Sequence, residues 1–179
     1  MNFGSEIVLN LDDLTDFIYR SKKECFAKSD LKVSQSDGSS IYSNRELPWL
    51  YVDHYCGNTI ERGTEDVYYD MVLIWSMQYR GGILETHWPI SEAISRFLKY
   101  ALIELPKEFP VRGPREFRLK EFESEGEIFR GSFIYTNNPK GDIKRFIGYE
   151  EILWNGDIAF YHDYIGGLIR NKYFKTKVI

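Results

Sequence analysis

The chain has 179 residues, 43% apolar and 28% charged, with 12 Phe, 13 Tyr and 4 Trp; this is core material for one domain or two small lobes and excludes global disorder. With 23 Lys and Arg against 27 Asp and Glu the net charge is −4, so attraction of the whole surface to nucleic acid or anionic membrane is not expected. No apolar run reaches the roughly 18 residues of a membrane span, the start MNFGSEIVLNLDDL has no signal-peptide pattern, and Cys25 and Cys56 stand outside any CxxC or Cys/His spacing, which together predict a cytoplasmic protein with reduced thiols and no structural zinc.

A short strand is expected at Glu6 to Leu9, followed by a helix from about Asp12 to Ala27, where Leu11, Leu14, Phe17, Ile18 and Ser21 recur at helical spacing. Asp12, Asp13 and Asp16 favour its N-terminal end, and Lys22 and Lys23 come later, where cations are favourable. Residues 29–45, rich in Ser, Asp and Gly, read as a long loop. Strands are expected at 50–56, 65–69 and 71–79, with Leu73, Trp75, Met77 and Tyr79 facing inward. A second helix spans Ser91 to Leu105, with Ser91 as its N-cap, and Pro106 and Pro110 end it. After the Arg112-Gly113-Pro114 turn come strands at 115–122 and 127–135, a loop at 137–141, and a hairpin of 146–154 with 158–164 around Asn155-Gly156, a type I′ dipeptide. The basic stretch from Arg170 to Ile179 reads as a solvated tail.

Sliding the chain against itself by 85 residues aligns Gly63 to Leu84 with Gly148 to Ile169 without a gap. Gly63/Gly148, Glu65/Glu150, Tyr79/Tyr164, Gly81/Gly166 and Gly82/Gly167 are identical pairs, and Trp75/Phe160 are chemically alike. The expectation is an α+β fold of two related helix-plus-antiparallel-meander lobes, about residues 1–85 and 86–179, packed about an approximate two-fold with a groove between them. The Tyr-x-Gly-Gly ends call either for a bulge or tight strand crossing or for close approach of backbone to a ligand, with Tyr79 and Tyr164 as flat walls.

Glu65 and Glu150 are the foremost candidates: repeated carboxylates that are either solvated strand-face residues or, if buried among Tyr69, Trp75, Trp154 and Phe160, selectors of a cationic or hydrogen-bond-donating ligand. A proton-transfer dyad is a further reading of the same pair. His54, His87 and His162 lack a metal-ligand spacing, and GxSxG, GxGxxG and GxxxxGK[ST] are absent from the sequence. Arg112 sits in a turn set by Gly113 and Pro114, where it either serves a ligand or anchors the turn.

The segments Met77 to Gly82, Phe97 to Leu102, Pro106 to Pro110, Arg112-Gly113-Pro114 and Gly148-Tyr-Glu-Glu-Ile152 resemble a bacterial family catalogued as domain of unknown function 5680, over about Leu14 to Ile169. Members of that family often follow Xre-type helix-turn-helix domains, and the resemblance implies a sensing or regulatory role. The N-terminal helix leads here into a Ser-rich stretch and strands instead of a recognition helix, so direct DNA binding is not expected. The order of elements is also similar, at the level of fold, to the duplicated α+β sensors of the GyrI-like and SOUL type.

These features combine in a non-enzymatic domain that binds a small organic ligand, cationic or aromatic, in an aromatic groove made of Glu65, Glu150, Trp75, Tyr79, Phe160, Tyr164 and Arg112. No catalytic residue, metal or cofactor is assigned. The alternatives are a protein-binding inhibitor, such as a small regulator or phage anti-defence factor, and a carboxylate-dependent hydrolase.

Overall fold

Asn10 opens the first helix: its Oδ1 accepts the backbone N–H of Asp12 at 2.8 Å and of Asp13 at 3.3 Å, satisfying donors that a helix start leaves free. The computed structural model describes residues 7–27, 32–170 and 176–179. Helix α1 covers Leu11–Ala27, and Leu14, Phe17, Ile18, Ser21, Lys22 and Cys25 form its buried stripe. Strand β1 (Ile7–Leu9) precedes it and pairs in parallel with β12 (Thr176–Val178), so part of the basic C-terminal stretch is a strand and not a tail. Glu6, at the start of the expected first strand, lies outside the described residues.

The expected loop at 29–45 is largely a hairpin. Strands β2 (Lys32–Ser34) and β3 (Ser39–Glu46) pair with each other, and β3 pairs along its whole length with β4 (Trp49–Cys56). A poor intrinsic strand preference is overridden because β4 offers a complete row of partners. Asp37 closes the turn by accepting both the Ser39 N–H and the Ser39 hydroxyl. Residues 28–31 lie outside the described residues.

Strands β5 (Ile60–Tyr69) and β6 (Val72–Ile83) complete the first meander. Asp70 and Met71 make the turn between them at φ 47° and 62°, so Met71 is a turn residue and not the first of a strand. Trp75, Met77 and Tyr79 face the core as expected, but the bulge at Val67/Tyr68 turns Ile74 inward and leaves Leu73, expected on the same face, only half-buried. A 3-10 turn (Glu85–Ile90) then leads into α2 (Ser91–Ile103). Ile90 occupies the N-cap without a side-chain bond, so Ser91 is the first helical residue rather than the cap.

The second meander consists of β7 (Glu116–Ser124), β8 (Glu127–Asn137), β10 (Arg145–Trp154) and β11 (Asp157–Leu168), with the short β9 (Lys140–Asp142) on β10. Asn155 and Gly156 turn the last hairpin at φ 53° and 96°. The two meanders join edge to edge in one sheet of order β2-β3-β4-β5-β6-β11-β10-β8-β7. The architecture is α+β, mostly antiparallel, with two helices.

The β6/β11 seam sets Tyr79 directly opposite Tyr164. Each ring lies over a cross-strand glycine, Tyr79 over Gly63 and Tyr164 over Gly148, where a Cβ would overlap the phenol. Gly82, at φ 141°, lies so close to the β4–β5 turn that a Cβ would strike the Thr59 carbonyl. The glycines at the end of β6 therefore serve a tight backbone crossing.

Two core clusters share one face of the sheet. One packs α1 against Tyr51, Val67, Trp75 and Met77; the other packs α2 against Phe133, Tyr135, Ile152 and Phe160. No helix among the described residues is long and apolar enough to cross a membrane.

Candidate functional site

Between the two clusters the buried face is charged. Lys22 Nζ lies 2.6 Å from Glu65 Oε2, both side chains having no solvent exposure. Lys22 also donates to the Val111 carbonyl. Arg112 donates through Nε at 2.9 Å and through Nη2 to Glu150 Oε1, and its Nη1 lies 3.7 Å from Glu65 Oε1. Arg112 thus joins the two repeated glutamates. Asn137 donates to the Gly113 carbonyl at 2.8 Å, so the chain is held on either side of Arg112, at Val111 by α1 and at Gly113 by β8. Gly113 is required there because a Cβ would meet the Tyr135 ring at 2.8 Å.

Glu150 accepts further hydrogen bonds from the Tyr135 hydroxyl at 2.5 Å and at 3.1 Å from His162 Nδ1, whose other ring nitrogen lies 3.3 Å from Glu61. Burial alone would raise the Glu150 pKa; the Arg112 charge and the bonds from His162 and Arg112 outweigh it and bring the group down to about 2. Burial opposes a charge on His162, but Glu150 and Glu61 raise its pKa above the ordinary value. At Lys22 burial wins over the attraction of Glu65, and with Arg112 nearby the ammonium pKa is lowered.

Asp53 differs from its neighbours. It is 6% exposed, and its one hydrogen bond among the described residues comes from the Tyr79 hydroxyl at 3.1 Å. Burial first, and the Glu65 charge second, push its carboxyl up to about 7. The partner strand shows the same construction with a neutral residue: the Tyr164 hydroxyl donates to Asn137 Oδ1 at 2.6 Å, and Asn137 stands opposite Glu150 as Asp53 stands opposite Glu65.

A cavity of about 410 Å³ opens over this network, walled by the C-terminal part of α1 (Cys25, Phe26), by α2 (Ser95, Leu98, Lys99, Leu102) and by the sheet. Asp53, Glu61, Tyr79, Arg112, Phe160 and His162 face it, with Tyr42 and Tyr55 beside Asp53. Burial, followed by the Asp53 and Glu65 charges, raises the Cys25 thiol to about 12, so it lines the cavity as an unreactive group. A second, more open concavity of about 650 Å³ lies at the β6/β11 seam and touches Tyr79 and Tyr164.

The structure therefore distributes the sequence-derived residues unevenly. Arg112, Tyr79 and Phe160 border the inter-helix cavity, and Tyr164 borders the seam concavity. Glu65 and Glu150 lie beneath the cavity in ion pairs with Lys22 and Arg112. Trp75 is fully buried and donates to the Ile143 carbonyl at 3.0 Å. Sequence reasoning missed Lys22, Asp53, Glu61 and, outside the metal reading, His162. Two of them left a signal: Lys22 falls on the apolar stripe of α1, and Asp53 alternates inward with Tyr51 and Tyr55. The free thiols are Cys25 and Cys56, and no cluster of metal-ligating side chains occurs among the described residues.

The sequence model of a family described as a domain of unknown function, DUF5680, matches residues 53–169. That stretch contains Asp53, Glu65, Tyr79, Arg112, Glu150 and His162. No curated protein and no solved structure matches the chain.

Proposed function

The chain belongs to the DUF5680 family, and we propose that it is a non-enzymatic small-molecule-binding or sensing domain with a regulatory role, whose ligand occupies the cavity between α1, α2 and the sheet. The observation that carries this reading is the presence of three buried ionisable side chains, Asp53, Arg112 and His162, on the wall of a cavity large enough for an organic molecule. Burying charge costs several kcal/mol per group before pairing. Convergent polar groups with displaced pKa values in a concave, partly aromatic site are the usual mark of ligand recognition. Most of the charge here is committed to internal partners, Glu150 to Arg112, His162 and Tyr135, which favours a rigid binding floor over proton transfer.

The same reading takes the two meanders as an internal duplication. The constant offset of 85, the meeting of Tyr79 with Tyr164 at the seam, and the matching Glu65/Asp53/Tyr79 and Glu150/Asn137/Tyr164 sets support it. The free thiols fit a reducing, cytoplasmic setting.

Ser95 is exposed on α2 at the cavity rim, so Ser95→Trp fills the opening without disturbing the core. A thermal-shift screen of a fragment library with molecules of all charges should find compounds that raise the Tm of the wild type and leave this variant unchanged. Hits that stabilise both proteins equally, or none, would contradict the proposal.

A further inference from the structure

Charge pairing at the cavity and its floor is incomplete in one place. Lys22 has Glu65, Arg112 has Glu150, and His162 lies between Glu150 and Glu61. Asp53 has no cation within ion-pair distance among the described residues, although it is more than nine-tenths buried and lines the cavity. Of the two exposed charges on the lining, Glu125 pairs with Arg96 at 3.1 Å and Lys99 forms no ion pair with Asp53, so the imbalance stays in place. A buried carboxylate without a counter-ion is costly, and a ligand cation is the partner that relieves it.

The surroundings of Asp53 suit such a group. Tyr42 stands directly across from it in the β3/β4 register, and Tyr55 follows two residues along the same face of β4. Their rings stack 6.1 Å apart and both border the cavity. Aromatic faces in this site already attract cations: Lys32 Nζ lies 5.4 Å from the Tyr55 ring centre, and the Arg112 guanidinium 5.3 Å from that of Tyr79. Beyond the carboxylate the lining turns apolar, with Ile83, Leu98, Leu102 and Phe160.

We infer that the cavity selects an organic cation, a protonated or quaternary amine whose nitrogen pairs with Asp53 beside Tyr42 and Tyr55 and whose apolar body rests on Leu98 and Phe160. This rests on the reading of the cavity as a ligand site and narrows it to one chemical class.

Acetylcholine and choline, with their neutral carbon isosteres 3,3-dimethylbutyl acetate and 3,3-dimethylbutan-1-ol, separate charge from shape. Affinities are measured by titration calorimetry and by saturation-transfer NMR at millimolar probe, for wild type, Asp53→Asn and Ser95→Trp. The wild type should prefer each cation over its isostere by about tenfold or more, the scale of one desolvated cation held by a carboxylate and aromatic faces. Asp53→Asn, which keeps an acceptor for the Tyr79 hydroxyl, should abolish that preference, and Ser95→Trp should remove binding of all four.

Equal affinity for cation and isostere, or a preference that survives in Asp53→Asn, overturns the inference. If all four bind with equal affinity and all are lost in Ser95→Trp, the cavity remains a ligand site without charge selection. If no cation binds while neutral or anionic fragments bind the wild type and not Ser95→Trp, the cation class is refuted and the broader reading stands. If no compound of any charge separates the wild type from Ser95→Trp, both fail.

Discussion

Asp53→Asn should make the protein more stable, and only at higher pH. The carboxyl ordinarily ionises at 3.8 and is pushed up to about 7 in the folded chain by burial and by the Glu65 charge. Below the lower value both folded and unfolded chains hold the proton. Between the two values the unfolded chain ionises first, so the stability of the fold falls as pH rises, and the loss is complete above about 7. Each pH unit across that interval costs about 1.4 kcal/mol, which sets an upper bound of about 4 kcal/mol at about pH 8.

Asparagine is neutral at every pH and escapes this cost. It also keeps an oxygen for the Tyr79 hydroxyl, as Asn137 does for Tyr164 at 2.6 Å in the other meander. Urea denaturation of both proteins should show the variant more stable by about 2–4 kcal/mol at about pH 8, with the difference closing to near zero at about pH 4. A variant less stable at the higher pH, or an advantage independent of pH, would show that Asp53 does not carry a buried charge in the folded chain. The same substitution should weaken binding of the proposed ligand, a trade of stability against function.

Glu150→Gln should destabilise the protein by about 3–5 kcal/mol in the same assay at neutral pH, because Arg112 is left buried without its principal anion; a change below about 1 kcal/mol would mean that Glu65 alone satisfies the guanidinium. The acid limb gives an independent check: Glu150, lowered from 4.5 to about 2, contributes stability that is fully present above the first value and is lost as pH falls through the second, about 3 kcal/mol in all, so the wild-type curve should drop more steeply than that of the Gln variant over this interval. Gly82→Ala should cost about 2 kcal/mol or more from its φ of 141° and the collision with the Thr59 carbonyl, and an unchanged denaturation midpoint would show that the crossing is looser than described.

The parts of the fold that were legible in the sequence have local causes. The Asn155-Gly156 hairpin and α2 were read because a two-residue turn and the apolar stripe of Ile94, Phe97, Leu98, Ala101, Leu102 and Leu105 each act over a few residues. The β2–β3 hairpin was hidden because its stability comes from pairing with β4, and Ser39 and Ser40 are buried by that pairing despite their polar character. The Asp70-Met71 turn was hidden because methionine at φ 62° violates the usual residue preference.

At the site, the repeat pointed to Glu65 and Glu150, but their partners could not be paired from sequence. Lys22 looked like a surface cation near a helix end, and Asp53 stands beside His54, which faces the opposite side of β4. The interleaving of α1, the Arg112 turn and both meanders assembles the network, and contacts across such distances leave no local pattern.

The cavity above Asp53 and Arg112 is proposed to hold a small organic ligand. Native mass spectra of freshly purified protein, followed by denaturing spectra of the same sample, test it most directly when Ser95→Trp is treated in parallel. A discrete organic mass should be released on unfolding of the wild type and be missing from the variant. A ligand carried equally by both proteins, or a wild type that is bare after purification and binds no member of the fragment library, would contradict it.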